Sequence, residues 1–275
     1  MDAIQDASNT GAYRKTGKAN SGGRLAAAFQ SASNLQMPWE RRWQALGSRS
    51  TVHKPYGHGV DSSMWNSLDH TTVLYGLIAA NISVWFLWQS PERREFMEKH
   101  FQVSVASIED RREHTAVTAN FSHSDAGHLA LNMLALHSFG RMIGHPRLFG
   151  GGGLLALYLA GGLGCVAGHC LYWSYFVPWK QGVDRRAYNA RRTPSALGAS
   201  GSVSALLTCS ILLNPSQKLL VYGLPVPAWL YGIFVTALDL SGAIGVNHGS
   251  RIGYAGHLGG AAVGAAAWLL FRRCS

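Results

Sequence analysis

The sequence predicts an all-α membrane protein in which six transmembrane helices follow a polar N-terminal region. Charged residues make up only 14% of the 275 residues, whereas a typical soluble domain contains about 25%. Polar and apolar residues are unevenly divided, because residues 1–70 are polar and residues 71–275 contain long apolar runs. Six of these runs are separated by polar or charged connections, which is typical of a multi-pass membrane protein.

The first three predicted spans are residues 71–88, 126–143 and 148–176. The run 71–88 carries no charge and has about the minimum length that crosses a bilayer. The stretch 92–114 is too rich in Arg and Glu to span. We expect it to form short amphipathic segments at the membrane surface.

The last three predicted spans are residues 200–213, 219–240 and 252–271. The first of these is short for a full span. Pro225 and Pro227 lie inside the second and are expected to kink or interrupt its helix, because proline removes a backbone donor. A helix weakened in this way would suit a lateral gate for a substrate, which we state as a hypothesis.

The charge distribution indicates a membrane partner. The net charge is +10 and the pI is about 9.7, and Lys and Arg are concentrated in residues 1–70 and in connections such as 179–194. This pattern suits the flanks of membrane helices beside anionic headgroups. No basic stripe with interleaved aromatic residues is present, so we expect no nucleic-acid partner. Residues 1–70 have two readings, a disordered tail or a targeting segment.

The cysteines predict neither a disulfide framework nor a metal site. None of the four forms a C-x-x-C pair. Most lie in apolar runs, where a free cysteine behaves as a small hydrophobic residue. We expect no metal and no cofactor. The four cysteines are Cys165, Cys170, Cys209 and Cys274.

A candidate nucleophile lies at the start of the fourth predicted span, in the motif Gly198-Ala199-Ser200-Gly201. Pro194 lies just upstream, so the motif is expected to be a loop that enters the N-terminus of a helix. Backbone N–H groups there have no partner inside the helix and attract negative charge. Ser200 could therefore attack a carbonyl while its own N–H stabilises the oxyanion. A serine at a helix start is more often only an N-cap, and other evidence is needed to choose.

A candidate general base lies in the sixth predicted span. His257 is surrounded by small residues, and Gly256, Gly260 and Gly264 repeat every four residues. Such a face lets a second helix approach closely. We expect the helix that begins at Ser200 to pack there, so that His257 accepts the serine proton. The alternative is a histidine satisfied by a neighbouring helix.

Two candidate oxyanion donors lie in the second predicted span. His128 and Asn132 are four residues apart, which puts both side chains on one helical face. Both can donate a hydrogen bond toward the negative oxygen that forms when Ser200 attacks. Their other reading is a polar contact between helices.

These motifs resemble the rhomboid family of intramembrane serine proteases over about residues 71–271. The family pattern H-x-x-x-N is matched by His128 and Asn132, its G-x-S-G motif by the residues around Ser200, and its histidine-glycine-glycine signature by His257, Gly259 and Gly260. The resemblance implies a six-helix bundle at residues 71–275, a Ser–His dyad and cleavage of transmembrane protein substrates. It also implies that the chain after the first span dips into the membrane.

Three stretches are similar to the mitochondrial, presenilin-associated branch of that family. They are residues 118–123, 194–201 and 237–242. This similarity implies a multi-pass protein of the mitochondrial inner membrane.

Other function classes are less consistent with the sequence. A membrane metalloprotease needs H-E-x-x-H, which is absent. An aspartyl protease needs two intramembrane aspartates, and only Asp239 lies near a span, where we expect a structural role. A dyad without a third acid is therefore the prediction. The alternative from another class is a catalytically silent rhomboid-like protein that binds clients or acts as a chaperone.

Overall fold

The computed structural model describes residues 68–145, 148–221, 223–245 and 253–274. Within these ranges the chain is mostly helical. Four helical segments are long and apolar enough to cross a membrane, namely His70–Trp88, Gly150–Gln181, Ala228–Gly245 and Tyr254–Arg273. The polar N-terminal region, whether tail or targeting segment, lies outside the described residues except for its last three positions.

The first half of the structure contains two long helices joined by short ones. Helix α1 is capped at its start by the Asp69 carboxylate, which accepts a hydrogen bond from the Thr72 N–H at 2.8 Å. The charged stretch after α1 forms short helices rather than a span, as the sequence predicts. The helices are α1 (His70–Trp88), α2 (Arg94–His100), α3 (Val105–Glu109), α4 (Thr115–Thr118) and α5 (Ala126–Ile143).

The second half contains four long helices. Helix α6 continues through a π-helical turn at Tyr172–Phe176 into α7, so this segment is longer than the predicted span. Helix α8 has only 14 residues, as its short apolar run indicates. The helices are α6 (Gly150–Leu171), α7 (Val177–Gln181), α8 (Ser200–Leu213), α9 (Ala228–Gly245) and α10 (Tyr254–Cys274).

The predicted span 219–240, with its helix kinked or interrupted by Pro225 and Pro227, is helical only from Ala228 onward. A two-stranded antiparallel hairpin, β1 (Lys218–Val221) and β2 (Leu224–Pro227), precedes α9. Proline disfavours the helix interior but is tolerated in an edge strand, where its missing N–H faces no partner. Both prolines lie in β2, Pro227 as its last residue, and the helix begins only at Ala228.

The core forms where α6, α8 and α10 pack against one another, with α1 and α5 against α6 and α8. Fully buried side chains there include Leu74, Leu136, Leu154, Tyr158 and Leu206. In contrast, α9 leaves many large apolar side chains exposed. That exposure is expected of a helix that faces lipid. The number of six spans stays a prediction, because α5 and α8 are helices outside the set of four candidate spans.

Candidate active site

The structure brings the candidate nucleophile and the candidate base together. Ser200 is the first residue of α8, and His257 lies in the first turn of α10. The Ser200 Oγ and His257 Nε2 atoms are 3.0 Å apart. This is hydrogen-bond distance, and it is the arrangement needed for a histidine to take the proton of a serine that attacks a carbonyl.

Glycines make this approach possible. A Cβ added to Gly260 of α10 would lie 2.2 Å from the Gly201 carbonyl oxygen of α8, and one added to Gly264 would lie 2.2 Å from the Ala205 carbonyl oxygen. These neighbours are backbone atoms, which cannot rotate away. Because Gly260 and Gly264 have no side chain, α8 and α10 can pack closely enough to bring Ser200 and His257 together.

His128 lies against the loop that carries the candidate nucleophile. Asp125 caps α5 by accepting a hydrogen bond from the His128 N–H at 2.7 Å. A Cβ at Gly198 would lie 2.6 Å from His128 Cε1, and Gly198 has a φ of +123°, which other residues rarely adopt. Gly198 thus allows both the sharp turn before Ser200 and the close approach of the imidazole.

Asn132 lies one helical turn after His128 and is buried. Its Nδ2 atom donates to the His128 carbonyl oxygen at 2.9 Å. An amide nitrogen has two hydrogens, so one remains for a second acceptor.

Two backbone N–H groups of the loop before Ser200 donate hydrogen bonds that the sequence did not reveal. The Ala199 N–H donates to His123 Nε2 at 3.3 Å, and the Gly198 N–H donates to the Ala119 carbonyl oxygen at 2.9 Å. Burial lowers the pKa of His123 to about 4. The imidazole is therefore neutral near pH 7 and can accept the N–H bond through its free nitrogen.

A buried polar network holds the first turn of α8. Asn120 Nδ2 donates to Ser202 Oγ at 2.8 Å, and the Ser202 hydroxyl donates to the Tyr158 carbonyl oxygen. The Tyr158 hydroxyl donates to the Asn120 carbonyl oxygen at 3.1 Å and accepts from Asn81 Nδ2 at 3.0 Å. These bonds join α1, α6 and the loop before α5 to α8, the helix that begins at Ser200. Such networks specify one arrangement of packed helices.

The sequence indicated no third acid beside the candidate pair, but the structure places one there. Asp239 Oδ1 lies 2.9 Å from His257 Nδ1. Asp239 is six residues before the end of α9, and His257 is three residues after the start of α10. Because α9 and α10 are joined by a short connection, residues near the end of α9 and near the start of α10 lie close to the same membrane surface. An acid inside an apolar helix also needs a polar partner. These two signals mark Asp239 as an acid that needs a partner, but which side chain it meets depends on how α9 and α10 pack.

Comparisons with known proteins identify a family model and relatives that this chain resembles. The family model described as "Rhomboid domain" matches residues 111–274. The chain is 39% identical over 211 residues to "RHOMBOID-like protein 12, mitochondrial" of Arabidopsis thaliana, covering 75% of this chain and 60% of that protein. It is 29% identical over 192 residues to "Rhomboid protein 1, mitochondrial" of Saccharomyces cerevisiae, covering 70% and 51%.

A third relative belongs to the presenilin-associated group. The chain is 32% identical over 228 residues to "Presenilin-associated rhomboid-like protein A, mitochondrial" of Danio rerio, covering 82% of this chain and 55% of that protein. The chain thus spans about half to three-fifths of the length of these relatives.

Proposed function

The chain belongs to the rhomboid family, on its mitochondrial branch, and from this premise we propose that it is an intramembrane serine endopeptidase. It is a multi-pass mitochondrial membrane protein, and we assign it to the inner membrane. The proposal includes a protease domain at residues 71–275 preceded by a tail or targeting region at residues 1–70. Its substrates would be transmembrane segments of other proteins, reached within the lipid bilayer. The bundle would have six spans, with α5 and α8 added to the four candidate spans.

The observation that carries the proposal is the 3.0 Å separation of Ser200 Oγ and His257 Nε2. In the first step, His257 takes the hydroxyl proton while the Ser200 oxygen bonds to the substrate carbonyl carbon. The tetrahedral intermediate then collapses, and His257 gives its proton to the leaving amine. Water, deprotonated by His257, attacks the acyl-serine, which releases the acid and restores Ser200.

The oxyanion would be stabilised by groups that surround Ser200. The first N–H groups of α8 have no partner within the helix, and Ala199 supplies no side-chain cap. The helix dipole adds positive potential at this end. The second Asn132 hydrogen and the His128 imidazole complete the donor set, because both groups lie on the face of α5 that approaches Gly198.

Replacement of Asn132 with alanine is expected to lower kcat by about 10²- to 10³-fold, the usual effect of removing one oxyanion donor. KM should change little, because the negative oxygen exists only after Ser200 has attacked. The measurement is the rate of substrate cleavage in liposomes at several substrate densities. Ser138→Ala is the matched control, since Ser138 is an exposed polar residue of the same helix that bonds only the Leu134 carbonyl oxygen. Equal rates for both variants would contradict this role.

The rival function is a silent member of the family that binds clients without cutting them. The presence of Ser200, His257, His128 and Asn132 together favours the protease, because binding alone requires none of these groups.

The proposal is tested by reconstituting the purified chain in liposomes with a single-span protein of known sequence. We expect two fragments, with the severed bond identified by mass spectrometry in or beside the apolar segment. A set of different single-span proteins should be supplied, because a selective protease would cut only some of them. Stable complexes that contain only intact substrate would contradict the proposal and favour the client-binding function.

A further inference from the structure

We propose that Asp239 is a positioning residue for the catalytic histidine, so that Ser200, His257 and Asp239 act as a triad. The inference rests on the proposed function and extends it from two groups to three. It also gives α9, a helix that exposes several large apolar side chains, a part in orienting the catalytic histidine.

The geometry is that of an acid held against its base. The Asp239 and His257 side chains are 10% and 20% exposed, and their Oδ1 and Nδ1 atoms are 2.9 Å apart. On the other side of the same ring, Nε2 faces Ser200 Oγ. The three groups therefore form one line of hydrogen bonds across α9, α10 and α8, and each nitrogen of the imidazole has a different partner.

The chemical consequence concerns the position of one proton. A carboxylate can only accept a hydrogen bond, so the Asp239 oxygen requires the proton to be on His257 Nδ1. The Nε2 atom then has a free electron pair directed at the serine hydroxyl. The same carboxylate stabilises the positive imidazolium that forms when His257 takes the Ser200 proton.

The C-terminal turns of α9, which follow Asp239, are held by hydrogen bonds from neighbouring helices. The Tyr172 hydroxyl donates to the Ala243 carbonyl oxygen at 3.0 Å, and Lys180 donates to the Ile244 carbonyl oxygen. Gly242 leaves room for the Tyr254 ring, since a Cβ there would lie 2.5 Å from two of the ring carbons. These contacts join the C-terminal turns of α9 to the π-helical turn, α7 and α10.

The opposite face of α9 exposes Ile233, Phe234 and Leu238. The N-terminal end of α9 is held separately, by the Ala228 N–H bond to the Gln217 carbonyl oxygen and by packing of Ala228 on α8. A displacement of the C-terminal turns of α9 that broke the bonds to Ala243 and Ile244 would also move Asp239 away from His257. The position of α9 and the orientation of the catalytic base are thereby linked.

The test compares Asp239→Asn, Asp239→Glu and wild type in the liposome cleavage assay, with kcat and KM determined separately. We expect Asp239→Asn to lower kcat by about 10²- to 10⁴-fold with KM within about twofold, because an amide can hold the wrong tautomer. Asp239→Glu should recover at least about tenfold of that loss, since it restores the acceptor. The matched control is Ser241→Ala, an exposed residue of the same helix that bonds only the Leu238 carbonyl oxygen.

A measurement on the wild-type protein guards against a variant that fails to fold. With ¹⁵N-labelled histidine, NMR should show the neutral His257 protonated at Nδ1, with the signal assigned by its loss in His257→Ala. Protonation at Nε2 would overturn the proposal, as would a folded Asp239→Asn variant with wild-type kcat. The proposed function fails if the wild-type protein does not cleave or if Ser200→Ala still cleaves. The triad alone fails if Ser200→Ala is inactive while a folded Asp239→Asn variant keeps wild-type activity.

Discussion

Replacing Ser200 with alanine is expected to lower the cleavage rate by about 10⁴-fold or more, to background. Alanine has no oxygen to bond to the substrate carbonyl carbon, so no acyl-enzyme can form. His257→Ala should cause a comparable loss, because the Ser200 hydroxyl proton then has no acceptor at 3.0 Å. The double variant should be no slower than either single variant, since both residues serve the same step.

The measurement is substrate cleavage in liposomes with thermal unfolding of each variant as a folding check. Ser204→Ala is the control for Ser200→Ala, because Ser204 lies one turn further along α8 and is half-buried. A Ser200→Ala variant that still cleaves at the wild-type bond would place the chemistry elsewhere. Additive losses in the double variant would show that the two residues act independently.

Gly260→Ala is expected to have the second largest effect, although it adds a single methyl group. The new Cβ would lie 2.2 Å from the Gly201 carbonyl oxygen. Because that oxygen belongs to the first turn of α8, the helices must separate, and the Ser200–His257 distance must grow. Overpacking of this kind costs about 1–3 kcal/mol in the free energy of unfolding. A misplacement of about 1 Å can reduce the rate by about 10²-fold.

The matched control is Gly76→Ala in α1, where a Cβ would meet no atom within 4 Å. Alanine favours the helix over glycine, so this variant should keep both its stability and its cleavage rate. Thermal unfolding and initial rates, measured on both variants, separate a packing effect from a general intolerance of glycine replacement. If Gly260→Ala matched Gly76→Ala in both measurements, close contact of α8 and α10 would not be needed for activity.

The helices and their order were largely predictable from the sequence, because length and apolar character decide where a chain can cross a bilayer. The bounds of α5 agree with the apolar run 126–143, and α8 begins at Ser200 as the glycine-rich motif indicates. The hairpin before α9 was missed. An apolar run with Pro225 and Pro227 fits both an interrupted helix and an edge strand, and only the pairing of Lys218–Val221 with Leu224–Pro227 distinguishes them.

The candidate pair was predictable from the sequence because Ser200 and His257 each lie in a glycine-rich motif within an apolar run. Its surroundings were not. Asp239 is one polar residue in an apolar helix, and its partner depends on how α9 and α10 lie side by side. His123 and Asn120 precede α5, and the sequence does not indicate that they bond Ala199 and Ser202. Such long-range contacts depend on packing rather than on local pattern.

The most direct test of the central claim is covalent labelling of the wild-type chain with a fluorophosphonate, followed by mass spectrometry of the labelled peptide. A fluorophosphonate reacts with a serine whose proton is removed by a neighbouring base, and the label reports the nucleophile without a known substrate. We predict a single label on Ser200, absent from Ser200→Ala and strongly reduced in His257→Ala. A folded wild-type chain without a label on Ser200, or with labelling that is unchanged in His257→Ala, would contradict the account.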